Sequence, residues 1–339
     1  MKILYAIQGT GNGHLSRAID IIPCLQKYGE VDILVSGIQG DLKLPFKVKY
    51  ELRGLSFIFG KGGGVDLWQT FARTNIRKFI KSMRELPVED YDLVINDFEP
   101  VSAWACHLKD KPCIALSHQA AVLSERYPVP ESADVKGKVI LQNYAPATAK
   151  YGFHFTGDNQ TVFTPVIRKQ VRSHEVTDQG HYTVYLPAYD DKKLVKALSQ
   201  FKGVKWDVFS KHNKKPFAAG DIIVQPINNI LFTASMAASS GVLCGAGFET
   251  PAEALYLGKK LMAVPMKNQY EQQLNAAALK QMGVPVIKNL KPKFEPAIRE
   301  WLENGKPVQV NYPDMTQEII DRIVNRHARG QQFGILKVS

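Results

Sequence analysis

The sequence predicts an α/β protein built from two doubly wound parallel-sheet domains that face each other across a cleft. Three observations lead there. Short apolar runs alternate with helix-period stripes, they do so in two separate series, and the connections are short turns. Between the series, around residues 152–180, periodicity fades and turn residues gather ("TGDNQTVFTPVIRKQV"). A chain of 339 residues supplies two cores of ordinary size. The expected division is a first domain over residues 1–155, a linker over 156–178 and a second domain over 179–313.

In the first series "KILYAI" reads as a buried strand. Leu15, Ala18, Ile19, Ile22 and Leu25 then form a helical stripe that Pro23 can kink and Gly29 ends. "VDILVSG", "FKVKYEL", "YDLVIND" and "PCIALSH" follow as strands. Ligands on such sheets bind beyond the carboxyl ends of the strands, where the opening loop, Asp97 and His118 converge. Residues 53–86 mix Phe57, Phe59, Trp68 and Phe71 with a glycine run and with Arg73, Arg77 and Lys78. That stretch reads as a loop plus a basic amphipathic helix, either a core helix with a solvated face or one that meets an anionic surface.

The second series opens with "HYTVYLPAY" and continues through "DKKLVKALSQF" (helix), "VKWDVFS" and "DIIVQP" (strands) and "NNILFTASMAAS" (helix). "GVLCGAG", "TPAEALYLG", "KLMAVP" and "YEQQLNAAALKQMG" complete it as strand, helix, strand and helix. Residues 222–248 carry no charge, but Gln225, Pro226, Asn228 and Asn229 break the run, so it reads as buried strand-helix-strand rather than a membrane span.

A formal charge of +11 and a pI near 9.3 suit an anionic partner. The aromatic residues do not interleave with the basic ones as a base-stacking platform would, so nucleic acid is not expected. Cys24, Cys106, Cys113 and Cys244 are scattered without a C-x-x-C pair, which fits a reducing cytoplasm better than a disulfide framework or a zinc site.

Gly9, Gly11 and Gly13 alternate before the first helix, and His14 follows at once. Such a loop cradles anions, since bare N–H groups and the helix dipole face the ligand. It is not a dinucleotide fingerprint, because the spacing is G-x-G-x-G-H and the second strand ends in Ser36 and Gly37 rather than an acid. No Gly-Lys-Ser/Thr follows, which excludes a P-loop. His14 at a helix start is expected to stay neutral and able to accept a proton, with Asp97, at the end of a neighbouring strand, orienting it.

The second constellation is "CGAGFETPAEALYLGKKLMAVPMKNQYEQQLNA" at 244–276. Gly245 and Gly247 leave N–H groups open at a strand end; Thr250 is placed to cap the next helix, Pro251 to open it and Glu253 to complete a capping box. A diphosphate can sit on the amides from about Gly247 to Thr250 without a metal.

With these segments the chain resembles the nucleotide-sugar glycosyltransferases of the GT-B fold, whose two Rossmann-like domains enclose the active site. It is most similar to the UDP-glycosyltransferases and the bacterial peptidoglycan N-acetylglucosaminyltransferase family. "GFETPAE" resembles their donor segment, which implies diphosphate contact around Gly245, Gly247, Phe248, Glu249 and Thr250 and a ribose grip by Glu253. "EQQLNA" implies that Glu271 and Gln272 hold sugar hydroxyls, and "QPINNIL" places base contact near Ile227. "GTGNGH" puts Gly11, Asn12 and Gly13 on the acceptor side, and "SHQ" adds His118. Two departures stand out: Gly245 replaces a histidine many relatives use against the diphosphate, and "NDFEPVSAW" replaces a second glycine loop.

The resemblance implies that His14 takes the acceptor proton, Asp97 steadies the imidazolium and the anomeric centre inverts. It also implies that the last helix, "DMTQEIIDRIVNRHA", returns to the first domain. No cofactor is expected beyond the donor substrate, and the chain offers no convincing D-x-D pair for a metal. The acceptor is a glycan, a lipid-linked molecule or another anion, met in the cytoplasm or at the inner face of the membrane. Two other readings remain open: a sugar-nucleotide epimerase of the same architecture, and a non-catalytic basic binding protein.

Overall fold

In the computed structural model the described residues are 1–37, 44–53, 58–59, 65–66, 76–122, 135–158, 160–267 and 269–328. "KILYAIQ" forms β1 (Lys2–Gln8), buried from Ile3 onward. A strand covered on both faces by crossover helices has no solvent side, hence its continuous apolar run. It feeds α1 (Gly13–Gln26), β2 (Glu30–Ser36) and the short β3 (Tyr50–Leu52). The predicted strand "FKVKYEL" is thus shorter than its pattern, since only its last three residues pair, with Leu34–Ser36. Next come a two-stranded ribbon, β4 (Ile58–Phe59) with β5 (Val65–Asp66), then α2 (Ile76–Glu85) and β6 (Leu93–Asp97). The first half closes with α3 (Pro100–Leu108), β7 (Ile114–Ser117), α4 (His118–Val122), α5 (Val135–Tyr144), β8 (Ala149–Phe153) and β9 (Val162–Phe163).

These strands make a parallel seven-stranded sheet in the order β3-β2-β1-β6-β7-β8-β9. The order reverses between β1 and β6, so a crevice opens at their carboxyl ends. There Ile7 stands in register with Asp97, and the glycine loop begins one residue after β1. β9 lies inside the stretch read as linker, because His154 donates its N–H to Phe163 O and Gly152 to Thr161 O, which extends the first sheet past residue 155.

A short helix α6 (Lys169–Arg172) leads to β10 (His181–Tyr185), α7 (Asp191–Leu198), β11 (Lys205–Ser210), β12 (Phe217–Ala219) and β13 (Ile222–Pro226). α8 (Asn229–Ala238), β14 (Gly241–Gly245), α9 (Glu249–Tyr256), β15 (Lys260–Val264), α10 (Tyr270–Gln281), α11 (Glu295–Asn304) and α12 (Thr316–His327) follow. The second sheet has the order β12-β13-β11-β10-β14-β15, parallel except for the antiparallel edge strand β12. Its order reverses between β10 and β14, which places Tyr185 and Gly245 at the second crevice.

α12 packs against α1, and Ile319, Ile320, Ile323 and Val324 are buried in one core with α1 residues such as Ile21 and Leu25. Each such side chain contributes roughly 1.5–3 kcal/mol. Tyr28 Oη donates to Asp321 Oδ1 at 2.6 Å, and Tyr151 Oη lies 2.9 Å from His327 Nε2. No described helix is long and apolar enough to cross a membrane.

Candidate active site

The two crevices face a common cleft of about 650 Å³, lined from one side by Thr10–His14 and Gln119 and from the other by Ile227, Gly247–Thr250, Glu253, Glu271 and Gln272. The loop geometry explains its glycines. Gly11 has φ +90°, the left-handed region that other residues rarely adopt. A Cβ on Gly9 would press on Val35 Cγ1 at 2.7 Å, so the loop can cross the end of β2 only without a side chain.

His14 Nδ1 lies 2.8 Å from Asp97 Oδ1, and its ring keeps 14% exposure toward the cleft. Arg17, one helical turn along α1, places Nη2 at 2.7 and 2.8 Å from the two oxygens of Asp97 and 3.2 Å from His14 Nδ1. Its Nη1 donates to Glu249 Oε1 of α9. A guanidinium that is 1% exposed thus joins a carboxylate from each half of the chain. The pattern was open to reading: residues three apart share a helix face, so Arg17 was the cation best placed to meet the partner of His14.

This network corrects two expectations. Burial disfavours the imidazolium, but Asp97, by charge and hydrogen bond, outweighs it and raises the His14 pKa above the ordinary histidine value. The helix dipole alone therefore does not set its protonation. The same neighbours, Arg17 and then His14, hold the Asp97 carboxyl below its ordinary value against the effect of burial. The second correction concerns Glu249, placed beforehand at the donor diphosphate. Its carboxylate instead reaches across the cleft to the start of α1, where a Cβ on Gly13 would stand 2.5 Å from Oε2. An anion does occupy the glycine loop, and the protein supplies it.

His118 does not line the cleft. It is 1% exposed, its Nδ1 lies 2.8 Å from Phe153 O, and its Nε2 lies 2.7 Å from the Asn275 side-chain oxygen. The Phe248 ring stacks on it with centroids 3.8 Å apart, so the Phe248 side chain also points inward. The neighbouring Gln119 takes the position expected of His118. Its Nε2 donates to Glu271 Oε2 at 3.0 Å and lies 3.5 Å from His14 Nε2, while its Oε1 has no hydrogen-bond partner. A one-residue offset at a strand-to-helix junction turns a side chain from cleft to core, and local pattern does not resolve it.

On the other side the capping box is not formed. α9 begins at Glu249 with Phe248 as its N-cap and no side-chain cap, two residues ahead of the predicted cap and first position. Glu253 turns away from the helix start because Arg168 holds it, with Nε 2.5 Å from Oε1 and Nη2 2.7 Å from Oε2. The first turn thus keeps its amides uncapped by any side chain, the state a diphosphate needs. Gly247 borders open space, whereas a Cβ on Gly245 would stand 3.7 Å from Gln272 Oε1. Gln272 Oε1 accepts from Met266 N–H at 2.9 Å, and Ile227 N–H donates to Ser210 O at 3.0 Å. Neither Gln119 nor Arg168 carried a local signal, since their partners are contributed by remote segments.

In place of the second glycine loop, Phe98 adopts φ +57° and Glu99 caps α3, accepting from Val101 N–H at 2.7 Å and Ser102 N–H at 2.6 Å. That helix start is thereby filled by a carboxylate of the chain. Of the basic aromatic stretch, Phe57, Trp68, Phe71 and Arg73 lie outside the described residues, and Arg77 and Lys78 are exposed on α2. Among the described residues, no group of three or more His, Cys, Asp or Glu is arranged to hold a metal ion.

The family model described as glycosyl transferase family 1 matches residues 1–303. No curated protein is similar enough to count as a match. Solved structures share the architecture at low identity. The S. aureus MnaA-UDP complex is 11% identical with a TM-score of 0.59, covering 97% of each chain. Acinetobacter baumannii MurG is 16% identical with a TM-score of 0.52, covering 95% of this chain and 98% of its own. The Streptomyces sp. SF2575 glycosyltransferase SsfS6, complexed with thymidine diphosphate, is 13% identical with a TM-score of 0.56, covering 95% and 99%. The family match over most of the chain and the two facing sheets lead to one conclusion: the chain belongs to glycosyl transferase family 1 and is a glycosyltransferase of the GT-B fold.

Proposed function

We propose that the chain moves a sugar from a nucleotide-sugar donor, of the UDP type, to an acceptor hydroxyl with inversion. One observation carries this reading. The His14–Asp97 pair faces the uncapped start of α9 and the side chains of Glu253, Glu271 and Gln272 across a single cleft.

The nucleotide lies on the second-sheet side. Glu253 accepts from the ribose hydroxyls, the backbone near Ile227 meets the base, and the amides at Glu249 and Thr250 meet the diphosphate. Glu271 and Gln272 take sugar hydroxyls, with the Gln272 amide oriented by Met266 N–H. The acceptor enters over Gly11–Gly13. His14, neutral in the reactive form, removes the hydroxyl proton through Nε2 while Asp97 holds Nδ1 and stabilises the imidazolium that forms. The oxygen attacks the anomeric carbon opposite the leaving diphosphate, whose growing charge is met by the α9 amides. Proton, nucleophile and leaving group are then accounted for by the chain's own groups.

The acceptor fits an anionic or lipid-linked molecule. α2 presents Ile76 and Ile80, 56% and 37% exposed, beside the basic Arg77, Lys78, Lys81 and Arg84. That composition suits an anionic bilayer surface.

A thermal-shift screen of nucleoside diphosphates and their sugars tests the donor reading. A ligand at 100 times its dissociation constant adds roughly 2.7 kcal/mol, a clear rise in melting temperature. A rise with UDP and UDP-sugars is expected. No shift with any nucleotide overturns the proposal.

A further inference from the structure

Four ionisable side chains meet where α9 touches α1. His14 and Arg17 come from α1, Asp97 from the end of β6 and Glu249 from the first residue of α9. Arg17 Nη2 lies 2.7 and 2.8 Å from the two oxygens of Asp97, and its Nη1 donates to Glu249 Oε1. His14 Nδ1 completes the set, 2.8 Å from Asp97 Oδ1. Asp97 is fully buried, Arg17 is almost so, and the centre of the Phe153 ring lies 5.2 Å from the guanidinium carbon. Water therefore screens these charges little. Of the other groups facing His14, Tyr5 on β1 stays a neutral phenol, and Gln119 on α4 stands between the imidazole and the Glu271 carboxylate of α10.

While His14 is neutral, Arg17 and Asp97 cancel, and Glu249 leaves the cluster with a net negative charge. A proton taken up by His14 then brings the cluster to neutrality. Without Glu249 the same proton would leave a buried net positive charge, which is the costlier state. Glu249 thus favours the imidazolium, as Asp97 does, and Arg17 opposes it. The balancing carboxylate belongs to the second half of the chain, so the balance exists only while α9 meets α1. We propose that Glu249 is a positioning residue of the base, crossing the cleft to hold Arg17 and to make proton uptake by His14 charge-neutralising. The inference rests on the reading of His14 as the base.

Histidine NMR titration of the intact chain and the pH profile of kcat/KM test it side by side. Glu249→Gln keeps the shape of the side chain and removes its charge. The His14 pKa should fall by about one unit, and the acid limb of the profile should move to lower pH by the same amount. UDP affinity should not weaken. Arg17→Gln combined with Glu249→Gln restores the net charge and should return the His14 pKa to within about half a unit of the wild type; it decides the matter if Glu249→Gln does not fold. An unchanged His14 pKa in Glu249→Gln overturns the inference and leaves His14 as the base. A double variant that titrates like Arg17→Gln alone overturns it as well. UDP binding that weakens while the pKa stays unmoved makes Glu249 a donor contact instead and also overturns it. A His14 pKa that falls while the acid limb stays in place shows that another group is the base, and overturns the base reading and the inference together.

Discussion

Arg17 and Asp97 are locked together, with one guanidinium nitrogen 2.7 and 2.8 Å from the two carboxylate oxygens, one of which also meets His14 at 2.8 Å. The proposed base thus shares its orienting carboxylate with a buried cation. The fully charged neighbours of His14 are Asp97 on β6, Arg17 on its own helix and Glu249 on α9; Tyr5 on β1 is a neutral phenol, and Glu271 on α10 reaches it through Gln119. Arg17 opposes the imidazolium, while Asp97 and Glu249 favour it.

Arg17→Gln should therefore raise the His14 pKa further. A base works only when deprotonated, so the acid limb of the kcat/KM profile should move to higher pH. Arg17→Lys, which keeps the charge, should leave the limb near its wild-type position. Histidine NMR titration of the free protein reads the same shift without substrate. A limb that stays fixed in the Gln variant removes Arg17 from control of the base.

Glu253→Ala separates an ion pair from a cap. Losing a capping side chain costs about 1 kcal/mol. Leaving the buried Arg168 guanidinium without its partner should cost about 3–5 kcal/mol, because Arg168 Nε and Nη2 both donate to Glu253. Urea unfolding measures that loss. UDP affinity in the folded variant should drop by about 2 kcal/mol, the scale of a charge-assisted hydrogen bond. Unchanged affinity removes Glu253 from the ribose.

Two buried histidines set an acid limit on stability. Burial, then the proximity of His118, holds the His154 pKa down to about 3, and burial lowers that of His118. Both stay neutral in the folded chain while the unfolded chain protonates near pH 6.5. Their contribution is full above that pH and lost as pH falls toward the folded values. The loss runs at up to about 1.4 kcal/mol per pH unit for each. His14, whose pKa is raised, acts with the opposite sign and loses its contribution as pH rises through its folded value. Between pH 6.5 and 5, His154→Gln should flatten the decline of unfolding free energy by an amount that grows from about 0.7 toward about 1.4 kcal/mol per pH unit as pH falls. An unchanged slope contradicts a neutral buried His154.

The proposed surface role of α2 predicts co-sedimentation with vesicles that rises with anionic lipid and falls with salt. Each basic residue near an anionic bilayer contributes about 1 kcal/mol, so Arg77→Ala with Arg84→Ala should weaken binding by about 2 kcal/mol. Equal, negligible binding to neutral and acidic vesicles favours a soluble acceptor.

The alternation of "KILYAI", "VDILVSG" and "GVLCGAG" with helical stripes was enough to read two doubly wound sheets, because buried parallel strands must be apolar throughout. The short β9 and edge strand β12 escaped, since two or three residues show no period. The placing of Asp97 beside His14 was legible from strand order, because Asp97 ends β6 and His14 follows β1, the two strands that flank the switch point. The partners of Glu249 and Glu253 were not. Arg17 lies 232 residues from Glu249 and Arg168 lies 85 from Glu253, and capping chemistry, a strictly local rule, assigned Glu253 to the wrong neighbour. His118 and Gln119 show the same limit at one-residue scale.

The most direct test is kcat for His14→Ala beside the wild type, using the donor found by screening and an acceptor it glycosylates, with UDP affinity measured in parallel. Removing a general base costs about 10²–10⁴-fold in rate, roughly 3–5 kcal/mol of transition-state stabilisation. A loss in that range is expected with UDP affinity within twofold, since the proposed nucleotide site is across the cleft from α1. A loss of less than about tenfold in a folded variant contradicts it, because proton transfer contributes more than that.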